Sequence, residues 1–442
     1  MQTIKTVTSA ATKISTLIAF LLFLNGFISS AQTQKNSVQG FDSERLSRID
    51  NYINDLIRSK RVAGANALII RNNQPVYNKS FGYADLESDR KMKYDDIFRI
   101  ASQTKAITSL AALMLWEEGK YLLDDPISIY IPEFKNPRVL VSFNEKDSSY
   151  TATPAKREIT VRDLFRHTSG LAYQLPYLGD HRMTSIYNKA KIPGLIGFPG
   201  STISEKIKIL ATLPLQHNPG EAFTYGLSTD VLGYLVEIWS GQLLDIFFKQ
   251  RIFDPLEMKD THFNLPKEKQ QRLVSLYQPM MDGKLVRTDY PIYDNAVADY
   301  PNSNRSYFSG GGGLSSTIGD YGKFLTLLLN KGVYKNQRLI GSKTVELMLT
   351  NQLSEGVNTS AIPPMPENFQ FGLGLALETE KNDFVSPLTI GSFSWEGAFC
   401  TYFWVDPKEN LIAIFYTQEF ASPYWSILKD QFKVMTYQAL EK

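Results

Sequence analysis

The chain has little cysteine, little histidine and almost no net charge. Its 442 residues include one cysteine and four histidines, and the formal net charge is +2. A single cysteine excludes an internal disulfide, so stability must come from a hydrophobic core, which a chain of this length is able to bury. We expect Cys400, in an apolar run, to be a buried strand residue. The small net charge argues against a nucleic-acid partner.

Metal and phosphate sites are equally weakly indicated. The histidines, at positions 167, 181, 217 and 262, lack the spacing of zinc ligands. The run Gly310–Gly313 lacks the Lys-Ser/Thr pair that a phosphate-binding loop requires, and it favours a turn before a helix. We therefore predict no metal and no other cofactor.

Only the N-terminus has an apolar run that suggests a membrane. Lys5 and Lys13 precede a largely apolar stretch over 14–28, and small residues follow at Ser29-Ser30-Ala31. This pattern predicts a signal peptide over residues 1–31 and an exported protein, periplasmic or secreted. The alternative is an uncleaved anchor. The apolar core of the stretch is shorter than the ~20 residues that span a bilayer, so we predict no stable membrane span after cleavage.

The rest of the chain divides into a flexible leader over 32–44 and one domain over 45–442. Apolar spacing predicts helices over 46–57, 102–118, 161–167, 226–239, 320–330 and 423–440. Strands are predicted over 65–70, 76–81, 393–405 and 411–416. Strands near both ends with a mainly helical part between them, roughly 110–310, predict an α+β fold whose antiparallel sheet is built from both ends of the chain and flanked by helices.

One pair of residues suggests nucleophilic catalysis. Ser102 and Lys105 are three residues apart at a predicted helix start, which places both side chains on one helix face. A serine hydroxyl becomes a good nucleophile when a neighbour takes its proton, and a lysine with a lowered pKa is able to do so. The same spacing occurs at Ser88/Lys91 and Ser426/Lys429, which we interpret as solvated surface. Only Ser102 precedes a long apolar helix.

The chain resembles the serine β-lactamase and penicillin-binding-protein superfamily, most closely class C β-lactamases and the carboxylesterases with that fold. The resemblance covers about residues 45–420. The matching stretches, in the family's order, are RIASQTKAITSLAALMLWEEGKYLLDDPISIYIPEF, ITVRDLFRHTSGL, PGEAFTYGLSTDVLGYLVE, SGGGGLSSTIGDYGKFLTLLLNKG and SWEGAFCTYFWVDP. It implies a serine β-lactamase-like fold with an inserted helical subdomain.

The resemblance also implies site residues. Ser102 and Lys105 match the family's nucleophile and lysine, and Tyr225 matches the tyrosine that moves the serine proton. Tyr225 would act as a base only if a positive charge such as Lys105 lowered its pKa. Gly397 would let substrate approach the backbone closely. The backbone N–H groups of Ala398 and Ser102 would form the oxyanion hole.

Three positions depart from the β-lactamase pattern. Leu227 replaces an asparagine, and Trp395 replaces the cation that holds a β-lactam carboxylate. Both changes favour neutral, apolar substrates, as in the esterase branch. Glu396 stands where small residues are usual, and it would either repel anionic substrates or point into solvent.

These residues favour an exported serine hydrolase that acts on a small-molecule ester through an acyl-enzyme. The alternatives are hydrolysis of a β-lactam or a peptidoglycan D,D-peptide, acyl transfer to another acceptor, and a binding protein that kept the fold without the chemistry. A Ser-His-Asp triad stays open, although no Gly-x-Ser-x-Gly motif is present.

Overall fold

The computed structural model describes residues 37–175, 180–359, 365 and 368–441. The predicted signal peptide lies outside the described residues. Among the residues described, no single helix has the length and apolar character to cross a membrane, although a bent pair, Ser228–Ser240 with Leu244–Phe253, has them in combination.

A seven-stranded antiparallel sheet forms the centre of the fold. Its strands are β1 (Gly64–Arg71), β2 (Gln74–Asp85), β3 (Arg90–Lys91), β4 (Ala376–Leu377), β5 (Phe393–Gly397), β6 (Thr401–Asp406) and β7 (Leu411–Tyr416). Their order across the sheet is β4-β5-β6-β7-β1-β2-β3. Strand β7 pairs with β1, with Ile414 opposite Leu68, so the two ends of the chain meet at the middle of the sheet. The predicted α+β fold is confirmed.

Helices cover both faces of the sheet. Helix α1 (Ser43–Arg58) and the C-terminal helix α10 (Trp425–Gln438) pack together on one face, and α8 (Ile318–Leu329) packs on the other. Every residue of β7 is buried. A strand covered on both faces has no solvent side, which explains why its sequence, Leu411–Tyr416, is apolar without alternation.

The remaining helices lie between β3 and β4. They are α2 (Thr104–Glu117), α3 (Val161–Phe165), α4 (His181–Lys189), α5 (Ile203–Leu210), α6 (Ser228–Ser240), α7 (Leu244–Phe248) and α9 (Ser342–Met348). Helices α2 and α6 pack against each other. Among its described residues, this part also contains three hairpins: Arg138–Phe143 with Tyr150–Pro154, Tyr277–Pro279 with Leu285–Arg287, and Val333–Tyr334 with Gln337–Arg338.

Part of the predicted leader belongs to the folded domain. Ser37–Val38 and Phe41–Asp42 form a small antiparallel pair, and α1 begins at Ser43. The ring of Phe41 is fully buried, and the Asp42 N–H donates to the Ala439 carbonyl (2.9 Å). The prediction of a flexible leader over 32–44 is therefore wrong for residues 37–44, because packing against the C-terminal end orders them.

The strand predicted over 393–405 is two strands. A turn at residues 398–400 separates β5 from β6, and Gly397 pairs with Thr401 across it. Cys400 is buried, as predicted, but it lies in this turn with a positive φ of 61° and not in a strand. The turn has neither glycine nor proline, so no local pattern predicted it.

Candidate active site

Ser102 lies just before the long buried helix α2. It is in the 3-10 turn Ala101–Gln103, and α2 begins two residues after Ser102, where the prediction had begun the helix at Ser102 itself. The preceding residue, Ala101, has a positive φ of 41°. Ser102 is 9% exposed and lines a cavity of about 500 Å³. Its hydroxyl is therefore held by a rigid element at the surface of a cavity.

Lys105 lies one helical turn after Ser102, as its spacing predicted. Its Nζ is 3.3 Å from the Ser102 Oγ, 2.9 Å from the Tyr173 hydroxyl and 2.6 Å from the Gly311 carbonyl oxygen. The side chain is fully buried. None of these three partners carries a formal negative charge, so the amine is held by dipoles.

Burial controls the charge state of this lysine. Loss of solvation lowers the pKa of Lys105, and the nearby carboxyl of Asp230 opposes this effect. Asp230 is itself buried on α6, where it accepts a hydrogen bond from the Ser309 hydroxyl (2.7 Å), and burial raises its pKa. An amine with a lowered pKa is able to take the serine proton near neutral pH.

Tyr225 lies beside the same amine. The Lys105 Nζ is 4.6 Å from the centre of the Tyr225 ring. The centres of the Tyr225 and Trp395 rings are 5.5 Å apart. Burial raises the pKa of Tyr225, while the neighbouring Ser102 and Trp395 side chains act in the opposite direction more weakly. The pKa is therefore not lowered as a phenolate base would require, and a neutral phenol is the form expected near neutral pH.

His167 supports the segment that carries Tyr225. It is fully buried with a positive φ of 56°, its ring centre is 4.9 Å from that of Tyr225, and its Nδ1 accepts from the Gly226 N–H (3.4 Å). Burial lowers the pKa of His167 well below its usual value. His167 is therefore a neutral residue that holds a backbone turn, which is a structural role.

Tyr173 is a site residue that no sequence motif identified. Its hydroxyl is the 2.9 Å partner of Lys105, and it also lines the cavity. It follows the His-Thr-Ser-Gly-Leu stretch, in a segment whose apolar residues have neither helical nor strand spacing. Only its position two residues after that stretch could have suggested it.

Strand β5 forms one side of the site. Trp395 packs against Tyr225 and against the Phe371 ring (5.3 Å between centres), and Ala398 follows the strand in the turn that lines the cavity. A Cβ added to Gly397 would lie 2.2 Å from the Ile100 carbonyl oxygen. The glycine therefore lets β5 approach the segment that carries Ser102. Its other predicted role, close approach of substrate to the strand backbone, stays a prediction.

Glu396 does not point freely into solvent. Its Oε1 accepts from the Trp425 indole Nε1–H (3.1 Å), and its Oε2 lies 2.6 Å from the Lys429 Nζ. Its charge is therefore compensated by α10. Lys429, predicted to be solvated surface, is half-buried in this ion pair.

Leu227 does not line the cavity. It is 1% exposed and caps the start of α6, with its backbone N–H directed to the Ala172 carbonyl (3.4 Å). The prediction that it contacts substrate is wrong, because its apolar side chain belongs to the core.

The cavity is mostly apolar. Its described lining is Ser102, Tyr173, Leu175, Leu195, Tyr225, Tyr293, Met365, Trp395, Glu396, Ala398, Phe420, Ala421, Ser422 and Trp425. No lysine, arginine or histidine is among these residues, and the one carboxylate is paired. Within the described part of the chain, no group of three or more His, Cys, Asp or Glu side chains could hold a metal ion.

A serine, a buried amine and a phenol beside one strand of such a sheet are the arrangement that the sequence resemblance implied. The family model Beta-lactamase matches residues 49–429. The chain belongs to the Beta-lactamase family. Ser102 and Lys105 lie within the matched range, as do Tyr225 and strand β5.

Named relatives in this family include enzymes. The chain is 32% identical to an uncharacterized protein of Mycobacterium tuberculosis, over 81% of this chain and 86% of that protein. It is 28% identical to esterase EstB of Burkholderia gladioli, over 84% and 89%. The solved structure of EstCE1, a hydrolase with promiscuous acyltransferase activity, has a TM-score of 0.74 at 22% identity and covers 90% of this chain and 99% of its own. The predicted family and fold are confirmed, and the protein is a serine hydrolase.

Proposed function

We propose that this protein hydrolyses neutral carboxylic esters through an acyl-enzyme on Ser102. The supporting observation is the cavity beside Ser102, whose described lining is mostly apolar and holds no cationic side chain. An anionic substrate such as a β-lactam or a D,D-peptide would need a positive group to offset the desolvation of its carboxylate. A neutral ester would not. The relationship to esterase EstB at 28% identity supports the same choice.

Lys105 is the proposed base. Its neutral amine takes the proton of the Ser102 hydroxyl, 3.3 Å away, as Oγ attacks the ester carbonyl carbon. The carbonyl π bond breaks, and the oxyanion that forms is stabilised by the backbone N–H groups of Ser102 and Ala398. This step gives a tetrahedral intermediate and a protonated Lys105.

Tyr225 is the proposed proton carrier to the leaving group. Collapse of the intermediate reforms the carbonyl and breaks the bond to the alcohol oxygen. That oxygen takes the phenol proton of Tyr225, and the phenol regains a proton from Lys105. Water then repeats the sequence against the acyl-enzyme, which releases the acid and restores Ser102.

The first experiment compares a p-nitrophenyl ester of a short acid with a chromogenic cephalosporin, using wild type and Ser102→Ala. We expect faster ester turnover by the wild type and, as for other serine hydrolases without their nucleophile, a loss of at least about 1,000-fold in Ser102→Ala. The matched control is Ser88→Ala, which changes an exposed serine in another Ser-x-x-Lys sequence and should keep full activity. Faster cephalosporin turnover would contradict the proposal.

A second experiment separates an enzyme from an inactive binding protein. A fluorophosphonate probe reacts only with an activated serine, so we expect stoichiometric labelling of Ser102. Absence of labelling in the folded protein would favour a binding function.

We also propose that the protein is exported. The support is the sequence alone: Lys5 and Lys13, the apolar stretch and the small residues ending at Ala31. N-terminal sequencing of the protein recovered from the periplasm or medium should begin at Gln32. Recovery of the intact chain in the cytoplasm would contradict the proposal.

A further inference from the structure

Glu396 uses both carboxylate oxygens to hold the start of α10. One oxygen accepts from the indole N–H of Trp425 (3.1 Å), and the other pairs with the Lys429 ammonium (2.6 Å). Trp425 and Lys429 are four residues apart, so they lie on the same face of the helix. A single side chain of β5 thus fixes the first turn of α10 against the sheet.

A second residue fixes Trp425 from the neighbouring strand. Tyr402 is the register partner of Glu396 on β6. Its hydroxyl donates to the Trp425 carbonyl (3.0 Å), and the two rings meet edge to face with centres 5.6 Å apart. The indole is therefore held through its ring, its N–H and its backbone, which leaves it little freedom to move.

This fixed indole lines the same cavity as Ser102. Phe420, Ala421 and Ser422 line it as well, so the segment between β7 and α10 contributes to the cavity wall together with the first residue of α10. A wall residue that cannot move aside excludes any substrate group that would overlap it, because protein interiors tolerate little overpacking.

We propose that Trp425 is a specificity-determining residue, which limits the length of the apolar group accepted beside the reacting carbonyl, and that Glu396 is its positioning residue. The substrate class is then a neutral ester with a short apolar group on that side. This inference takes its reaction from the proposed function, but the wall itself depends only on the contacts of Glu396, Tyr402 and Trp425.

The test measures selectivity as a ratio within each variant. One series varies the acyl chain of p-nitrophenyl esters, and a second varies the alcohol of acetate esters. In Trp425→Ala we expect the ratio of kcat/KM for long substrates to kcat/KM for short ones to rise at least about tenfold in one of the two series. Apolar pockets discriminate between substrates that differ by one methylene group on this scale. Glu396→Ala should raise the same ratio by less, because Tyr402 still holds the helix.

Tyr424→Ala is the matched control. Tyr424 precedes Trp425, carries the Arg61 guanidinium over its ring (5.0 Å) and is not among the cavity residues. The long-to-short ratio of kcat/KM in Tyr424→Ala should equal that of the wild type. Partial unfolding lowers the rates with long and short substrates together, so it leaves the ratio unchanged.

Fluorophosphonates with a short and a long alkyl group separate this inference from the proposed function. Their labelling rates require a reactive Ser102 but no ester turnover. We expect Trp425→Ala to raise the long-to-short labelling ratio in parallel. An unchanged labelling ratio would overturn the inference even if esters are hydrolysed, and a raised ratio would support it even if the natural substrate is not an ester.

Discussion

Gly397 lies against the carbonyl oxygen of Ile100, and no side chain fits between them. The added methyl of Gly397→Ala would meet that oxygen at 2.2 Å and the Thr401 Oγ1 at 2.3 Å. We expect β5 to shift away from Ser102, with a loss of about 1–3 kcal/mol in the free energy of unfolding. The value of kcat should fall at least tenfold, because Ala398 moves with the strand.

Kinetics and denaturant titration of Gly397→Ala measure both effects. Gly322→Ala on α8 is the control, since its Cβ would meet only the ends of flexible side chains, the nearest at 3.2 Å. An alanine at position 397 with wild-type kcat would show that the spacing of β5 from Ser102 is not needed for activity.

The activity should rise with pH as Lys105 loses its proton. Burial lowers the pKa of this lysine below its usual value, and the neutral amine is the form that accepts the Ser102 proton. We therefore expect kcat/KM to increase with pH through the pKa of Lys105 and then to level off. A pH-rate profile with a neutral ester measures this rise, which is the acidic limb of the profile.

Lys105→Arg tests the same assignment. A guanidinium stays protonated at every accessible pH, so we expect a loss of at least about 100-fold with no recovery at high pH. Lys91→Arg in the exposed Ser-x-x-Lys sequence is the matched control. A variant at position 105 that keeps the wild-type profile would exclude the lysine as the base.

Asp230→Asn should move the acidic limb to lower pH. The Asp230 carboxyl raises the pKa of Lys105, so loss of its charge should lower that pKa further. Asparagine keeps an oxygen for the Ser309 hydroxyl. The control is Asp320→Asn, a buried carboxyl that accepts from the Asp260 N–H. A limb that stays in place in Asp230→Asn would contradict electrostatic coupling to Lys105.

Tyr225→Phe should lower kcat without moving that limb. The phenol is predicted to carry a proton to the leaving group, so its loss should cost about 100- to 10,000-fold, the usual contribution of proton transfer. Burial raises the pKa of Tyr225, so a phenolate should not form near neutral pH. Esters with better leaving groups need less protonation and should lose less activity. An equal loss with good and poor leaving groups would argue against this role.

The sequence predicted the site best where the spacing of residues along a helix brings catalytic side chains together. Ser102 and Lys105 adjoin because three residues make nearly one turn, and the apolar stretch after them predicted the buried helix α2. The sheet was predicted from the apolar, β-branched composition of Leu411–Tyr416. Tyr225 was identified only through the family resemblance, because it lies 120 positions after Lys105 in the sequence.

Residues positioned by tertiary packing were not predicted. Tyr173 and Trp425 reach the cavity from segments whose positions depend on the sheet and on α10, and no local pattern records such packing. Glu396 was ambiguous because its partners, Trp425 and Lys429, lie 29 and 33 residues away. The turn at 398–400 was missed because Cys400 adopts a conformation typical of glycine.

The buried thiol of Cys400 has a practical consequence for spectroscopy. Burial raises the pKa of Cys400 well above its usual value, so maleimide dyes should leave the native protein unmodified. A cysteine introduced at the exposed position 421, on the cavity wall, would then be the single reactive site. A fluorophore attached there would report entry of each substrate into the cavity in real time, without background from the natural thiol.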